Sequence, residues 1–442
     1  MPMNRLTFHV DEAAAPTSDT SGTLHVVLYG SRPPRVGAGS IGGPLELAVA
    51  RLGSPVDPIA FDFLSIALSV VAADTFVARD ERAADGWARE LTLSIPLARP
   101  ATWEPVRTDL ERALGFLSGD RWTFSFSEGG KEPPSRTAIL RRSRTHIGIA
   151  PADCVCLFSG GLDSYLGARQ LVAEDRTPLL VSHAYRGDQG YQRYLASRFA
   201  KALPRFAANA NPVFSGPHHN DTTMRTRSIS FLAFGIIAAS ALARIRRPPN
   251  PIDLIVPENG FIALNAPLTR RRIGSHSTRT THPHFLDLMQ SILNGVGLVA
   301  RLENPYRHMT KGEMLLAAGT DRSLMHAATE TVSCGKWKRK NRQCGHCVPC
   351  LIRRAAFARA DIVDTTCYQF PDLRKAWDRH DIRDDIMAVL IAAARDDRGM
   401  RQRAIASGPL PLEPAERDGW FGVHTRGLRE VAAFLNAKGV GN

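Results

Sequence analysis

Apolar positions along this chain follow two rhythms, and the change between them divides it. Up to about residue 150 the rhythms are mixed. Leu24 to Leu28 reads as a strand. Leu91, Leu93, Ile95 and Leu97 alternate with polar residues as a half-buried strand does, and Trp122, Phe124 and Phe126 alternate again. Between them, Asp57-Pro58 puts proline in the first turn of a helix running over Ile59 to Val71, and Val106 to Leu117 returns to helical spacing. The mixture predicts an α+β unit over residues 1–150. No catalytic constellation stands out in it, and the polar stretch Glu128 to Arg136, with Pro133-Pro134, predicts a linker.

From about Asp153 short apolar strands alternate with helices. Val155 to Phe158, Leu179 to Val181, Pro212 to Phe214, Ile252 to Val256 and Leu298 to Leu302 are the strands; Tyr191 to Ala202 and Ile229 to Ile245 are helices. This order predicts α/β architecture over 151–370, a doubly wound parallel sheet that binds ligands beyond the carboxyl ends of its strands. The 17-residue run Ile229 to Ile245 includes Ser230, Ser240 and Arg244, and so predicts a buried core helix. From about Phe370 the spacing is helical again, in Ile382 to Ala394 and Leu428 to Ala437, on either side of the proline-rich Gly408 to Pro414. A helical extension over 371–442 is expected.

The break after the first strand of the second unit carries chemistry. Cys154 to Phe158 runs into Ser159-Gly160-Gly161-Leu162-Asp163-Ser164 and reopens as a helix from Ser164. A strand, a glycine turn and a helix N-terminus make an anion cradle, because backbone N–H groups converge there and the helix dipole favours negative charge. Gly160 and Gly161 let the backbone approach a phosphate, and the hydroxyls of Ser159 and Ser164 can donate to it. Asp163 would repel a phosphate, so it is read as a Mg²⁺ ligand or a cap of the turn. The lysine of the common nucleotide-binding loop is absent from the turn.

Cysteine usage adds a metal. Of seven cysteines, Cys334, Cys344, Cys347 and Cys350 cluster in the pattern C-x₉-C-x₂-C-x₂-C. Four soft ligands with no open position suit a structural zinc, with an iron–sulfur cluster as the rival metal. His346 lies between two ligands, which points it away from the metal. Lys336, Lys338, Arg339, Lys340, Arg342, Arg353 and Arg354 would offset the charge of such a centre, or touch nucleic acid. Cys154 and Cys156 share one face of the first strand and read as core residues; Cys367 has no evident partner.

Composition changes this picture little. Over 442 residues, 44% are hydrophobic and 22% charged, as in ordinary globular proteins. No apolar run approaches the roughly 20 residues that span a bilayer, and no signal-peptide core opens the chain, so a cytoplasmic protein without membrane contact is expected. A formal charge of +13 admits a nucleic-acid partner but suits ATP and anionic substrates equally.

SGGLDS resembles the pyrophosphate loop of the N-type ATP pyrophosphatases. Together with the C-x₉-C-G-x-C-x₂-C knuckle it resembles the 7-cyano-7-deazaguanine synthase (QueC) family over about Asp153 to Asp361. Arg227-Ser228-Ile229-Ser230-Phe231-Leu232 looks like that family's R-N-x-x-F-L, with Ser228 in place of asparagine, and Thr310-Lys311-Gly312-Glu313 looks like its T-K-x-E. Tyr185 to Gly190 departs from its Y-G-Q-R turn, and Gly274 to Pro283 is the nearest counterpart of its base-recognition segment. The two flanking units make the chain look more like the QueC-like component of Qat-type anti-phage defence systems.

The resemblance implies an ATP- and Mg²⁺-dependent ligase that adenylates a 7-deazaguanine carboxylate, releases pyrophosphate and transfers the acyl group to ammonia or to an amine of a partner protein. ATP would sit on Phe158, Ser159, Gly160, Gly161, Leu162, Asp163, Ser164 and Tyr165; Asp163, Lys311 and Arg227 would serve catalysis. The rival readings are a tRNA sulfur-transferase using the same loop and a noncatalytic zinc-knuckle nucleic-acid binder.

Overall fold

The computed structural model of the protein describes residues 4–16, 22–33, 35–83, 87–183, 188–217, 220–221, 225–247, 250–269, 279–319, 322–336 and 342–440. Its strands form two sheets. The N-terminal sheet has the order β5-β4-β1-β2-β3-β9, from Arg121–Ser127, Glu90–Pro96, Asn4–His9, Leu24–Gly30, Gly39–Gly42 and Val213–Phe214. The central sheet has the order β11-β10-β6-β7-β8, from Ala300–Glu303, Ile252–Ile255, Cys154–Leu157, Pro178–His183 and Arg205–Ala208. Every pair in the central sheet is parallel, as the alternation of strands and helices predicts.

Three details differ from the sequence reading. The strands of the N-terminal sheet from β1 to β5 also pair in parallel, and the crossovers from β3 to β4 and from β4 to β5 are helical. Val213–Phe214 is not the third strand of the central sheet: it pairs antiparallel with β3, Gly39 opposite Phe214, and closes the edge of the other sheet. The third strand of the central sheet is Arg205–Ala208, four residues without a long apolar run, recruited by pairing with β7. The helix expected over Tyr191 to Ala202 is Gln189–Ala196.

Two long helices, Pro58–Phe76 and Arg227–Arg246, lie against each other and join the two sheets. One hydrophobic core takes in both helices and one face of each sheet, from Leu6, Val26 and Leu93 to Val155, Val181 and Leu254. Each helix, at 19 and 20 residues, is long and apolar enough to cross a membrane by length and composition. That corrects the expectation that no such run exists. Apolar on all sides, they are buried in protein over 89% and 78% of those windows, because each has a sheet on one side and the other helix on the other. Asp57 caps the first helix, its carboxylate accepting from the Ile59 N–H at 2.9 Å, and its own N–H donates to Ser240 Oγ of the second at 2.8 Å.

A buried ion network ties the far ends of these helices together. Arg89, fully buried, donates to Asp74 at 2.5 Å and to Asp120 at 2.8 Å, and Arg79 grips Asp120 at 2.5 Å. Asp74 then accepts from the N–H and hydroxyl of Thr226, both at 2.9 Å, capping the start of the second long helix one residue before Arg227.

The other face of the central sheet carries a second core, in which Cys154, Cys156 and Leu180 meet Phe158, Leu166, Leu315 and Phe357. Beyond it the helices Lys311–Ala317, Val348–Arg359 and Pro414–Ala437 pack in succession. The last is much longer than the expected Leu428 to Ala437.

Candidate functional site

The candidate loop lies at the carboxyl end of β6. Gly160 takes a left-handed φ of 86°, a conformation glycine adopts without strain, and a Cβ there would press on Gln192 Cγ at 3.2 Å. Gly161 is the N-cap of helix Leu162–Ala173. The loop is held from outside: Gln192 Nε2 donates to the Ser159 carbonyl at 3.1 Å, and the Val332 N–H donates to that of Gly160 at 3.2 Å. Within it, the Gly161 N–H donates to Ser159 Oγ at 3.2 Å and the Ser164 hydroxyl to the Gly161 carbonyl at 2.9 Å. The side chains of Phe158, Leu162 and Tyr165 point into the core. Any contact of these three with a nucleotide is therefore through the backbone.

The Asp163 side chain lies in a buried polar cluster at the start of helix Leu162–Ala173. Its Oδ1 accepts from Lys311 Nζ at 2.5 Å and its Oδ2 from Asn259 Nδ2 at 2.7 Å; both Asp163 and Lys311 are 5% exposed. Asn259 Nδ2 also reaches Glu258 Oε1 at 3.1 Å, while its own Oδ1 caps the short helix Gly260–Leu264. Gly260 is required by packing, since a Cβ there would overlap the Arg307 carbonyl at 1.9 Å. Burial pushes the Glu258 carboxyl well up, and the neighbouring Asp163 charge adds to this. Burial works in the same direction on Asp163, but the Lys311 ammonium and hydrogen bonds from Glu258, Lys311 and Asn259 outweigh it and hold Asp163 at about 2. Burial and the Asp163 charge thus favour the protonated form of Glu258, and Lys311 the ionised form of Asp163.

The structure therefore brings the loop aspartate and Lys311 together across 148 residues of chain. Glu258 and Asn259, which carried no role in the sequence reading, complete the cluster; their only signal was a turn directly after β10. Arg227 stands at the start of its helix, 40% exposed, with Asp188 at 3.8 Å. The turn Tyr185 to Gly187 and residues 274–278 lie outside the described residues.

The rest of the candidate base-recognition segment is structural at His282. Fully buried, its Nδ1 accepts from the His284 N–H at 3.2 Å at the start of helix Pro283–Gly295, and its Nε2 meets Ser407 Oγ at 3.0 Å. This geometry needs a neutral ring. Burial, then the Arg279 charge, lowers its pKa to about 3, and burial lowers that of His424 to about 4, from 6.5. Folded pKa values below the unfolded ones mean that the unfolded chain takes up protons first, so stability is complete above pH 6.5 and falls as pH drops. Each ring is expected to cost about 1.4 kcal/mol per pH unit below that point, about 2 kcal/mol each by pH 5. Denaturant midpoints at pH 7.5 and 5 measure this, and a His424→Phe variant should show a shallower slope. Equal slopes would show that the ring does not contribute.

The four cysteines converge as predicted. Their sulfurs lie within 4.8 Å of one another, with Cys347 to Cys334 and Cys344 to Cys350 both 3.9 Å. A tetrahedral ion bonded to sulfur at about 2.3 Å sets its ligands about 3.8 Å apart, so the group fits one zinc ion. A multi-iron cluster spreads its cysteines more widely than these lie. Backbone N–H groups of Cys344 and Lys336 already point at Cys334 Sγ, at 3.2 and 3.4 Å, as thiolates require. Gly345, at φ 85°, makes the turn possible where a Cβ would meet the Phe370 carbonyl at 2.7 Å. His346 stands outside the sulfur group, edge-on to Phe370. Arg353 and Arg354 are buried and donate to carbonyls, Arg353 to Ala328 and Thr329, Arg354 to Gly345, Phe370 and Pro371. They fasten the knuckle and are not open to nucleic acid. Lys338, Arg339 and Lys340 lie outside the described residues, and Cys367, exposed, accepts from Arg342 at 2.9 Å.

Residues 280–361, the span holding Lys311 and all four clustered cysteines, match the family model described as Queuosine biosynthesis protein QueC. Over 239 residues the chain is 28% identical to the 7-cyano-7-deazaguanine synthase of Thiobacillus denitrificans, which covers 48% of this chain and 97% of that synthase. The chain is QueC-like. Two further 7-cyano-7-deazaguanine synthases, from Cupriavidus taiwanensis and Cupriavidus necator, are each 43% identical to this QueC-like chain over 72 residues, 16% of it and 29% of the relative. No solved structure matches it.

Proposed function

We propose that this QueC-like protein is an ATP-dependent synthase that activates the carboxylate of a 7-deazaguanine as an acyl adenylate. The carboxylate oxygen attacks the α-phosphorus and pyrophosphate leaves. An amine nitrogen then attacks the acyl carbon and displaces AMP. The single observation that carries the reading is the Asp163–Lys311 pair, which joins the SGGLDS loop after β6 to the Thr310–Glu313 segment that follows β11. The similarity to 7-cyano-7-deazaguanine synthases supports the substrate class.

In this proposal Ser159, Gly160, Gly161 and Ser164 cradle the phosphates. Asp163 would be the residue to hold Mg²⁺, which would supply charge neutralisation on the phosphates when bound. The Lys311 ammonium, held beside the loop, offsets the charge that grows on the departing pyrophosphate. Arg227 contributes a second guanidinium contact to an anionic group. Zinc in the knuckle serves the fold.

The sulfur-transfer alternative is not supported by the thiols beside the loop. Burial pushes Cys156 up to about 12 and raises Cys154 further, so neither is a thiolate nucleophile. The acceptor we propose is an amine on a partner protein, in a Qat-type defence role, in addition to ammonia. The departure of residues 185–190 from the family turn beyond β7 supports it.

The experiment combines ATP, Mg²⁺ and 7-carboxy-7-deazaguanine, first with ammonium and then with candidate partner proteins. AMP and pyrophosphate are expected by chromatography, with a mass gain on a partner. ADP as the nucleotide product overturns the adenylation reading; nitrile or amide formation with no partner gaining mass overturns the protein acceptor.

A further inference from the structure

We propose that Glu430, on the C-terminal helix Pro414–Ala437, is a positioning residue for Lys311, so that the tail forms part of the nucleotide site; this rests on the reading of that site given above. The helix that begins at Lys311 has seven residues, too short to hold its own geometry in water. Its first turn is gripped from the tail. Glu430, 6% exposed, accepts through Oε2 from the Thr310 hydroxyl at 2.7 Å and through Oε1 from the Gly312 N–H at 3.2 Å. These two contacts bracket Lys311 in the chain.

The residue types fit this arrangement. The Thr310 hydroxyl accepts from the Glu313 N–H at 3.1 Å and gives its own proton to Glu430, which an aspartate or asparagine cap could not do in the same way. Gly312 is where a Cβ would stand 2.6 Å from Glu430 Oε2, so the close approach of the carboxylate needs glycine. Arg359 Nε at 3.5 Å balances the Glu430 charge. Two further ties come from the same helix. Arg426 donates to Glu313 and to the His308 carbonyl, both at 2.7 Å, and Glu416 takes both arms of Arg307 at 2.8 and 3.1 Å. Segment 307–313 is thus held by three residues of a helix that lies beyond residues 280–361 matched to the family model.

Lys311 meets Asp163 through a single 2.5 Å contact, and an ångström of misplacement at a reacting centre can cost about a hundredfold in rate. The test uses the full chain with Glu430→Ala and Glu430→Gln, the latter keeping an acceptor oxygen for the Gly312 N–H and an amide N–H that can donate to the Thr310 hydroxyl. Acetic anhydride labelling followed by peptide mass spectrometry reads the exposure of Lys311, with Lys131 as the internal reference. In Glu430→Ala, Lys311 labelling is expected to rise at least about tenfold against Lys131, and kcat for AMP formation to fall at least about tenfold with KM for ATP within about threefold. Glu430→Gln should restore both.

Unchanged Lys311 labelling overturns the proposal. So does a loss that glutamine does not rescue, or one in which labelling rises at every lysine together, since that is loosening of the whole fold. If labelling behaves as expected while neither Glu430→Ala nor Lys311→Ala alters ATP cleavage, the clamp stands and the nucleotide reading fails.

Discussion

Asp163→Asn is expected to reduce the cleavage of ATP to AMP and pyrophosphate by at least about a thousandfold, equivalent to about 4 kcal/mol of lost transition-state stabilisation. The loss has two sources in the proposed mechanism. The amide cannot neutralise Mg²⁺ as a carboxylate does, and Lys311 loses the partner that holds it beside the loop. The same substitution also bears on stability. Asp163 and Lys311 are both nearly buried, so removing one charge leaves the other without compensation, typically at a cost of about 3–5 kcal/mol. Lys311→Met in the Asp163→Asn background should therefore recover stability while leaving activity absent. Product chromatography and denaturant midpoints separate the two effects. An Asn variant that cleaves ATP within tenfold of the parent would remove Asp163 from the reaction.

Cys347→Ser should empty the knuckle and unfold its surroundings. The parent is expected to carry about one zinc per chain by elemental analysis, and the variant almost none. Structural zinc sites contribute about 10–16 kcal/mol of apparent binding energy to the folds they hold, against a total stability of about 5–15 kcal/mol for a typical domain. Cys347 is central to the site. It caps helix Val348–Arg359, its N–H donates to Cys344 Sγ at 3.3 Å, and its sulfur lies 3.9 Å from that of Cys334. That helix carries Arg353 and Arg354 into the carbonyls around the knuckle and packs on both the Lys311 helix and the C-terminal helix. Loss of metal should thus reach the candidate site and appear as aggregation or a large fall in melting temperature. A serine variant that melts with the parent, or a parent containing iron and sulfide, would show that the zinc assignment is wrong.

These two predictions rest on features of different visibility in the sequence. The knuckle was legible because metal ligation is local: spacings of two residues between cysteines dictate a turn that converges sulfurs whatever surrounds it. The loop was legible for the same reason, since Gly160-Gly161 between an apolar strand and a helix fixes the backbone path. The two long helices were visible as apolar runs, though the first was read only as Ile59 to Val71 and its full 19 residues were not.

Tertiary structure decided what depends on pairing across the chain. Residues 213–214 read as a strand, but only packing could assign them to β3 and the other sheet, because two residues carry no register of their own. Strand direction in the N-terminal sheet was equally open, since alternation reports which face is buried and not which way a neighbour runs. The Asp163 cluster draws on residues 96 and 148 positions away, and the Glu430 contact spans 120. No local pattern encodes such contacts. What the sequence by itself determined is the chemistry of each short motif and the faces that must be buried; which motifs meet was settled by the shared core of two sheets and two helices, where hydrophobic burial summed over the whole chain outweighs any local preference.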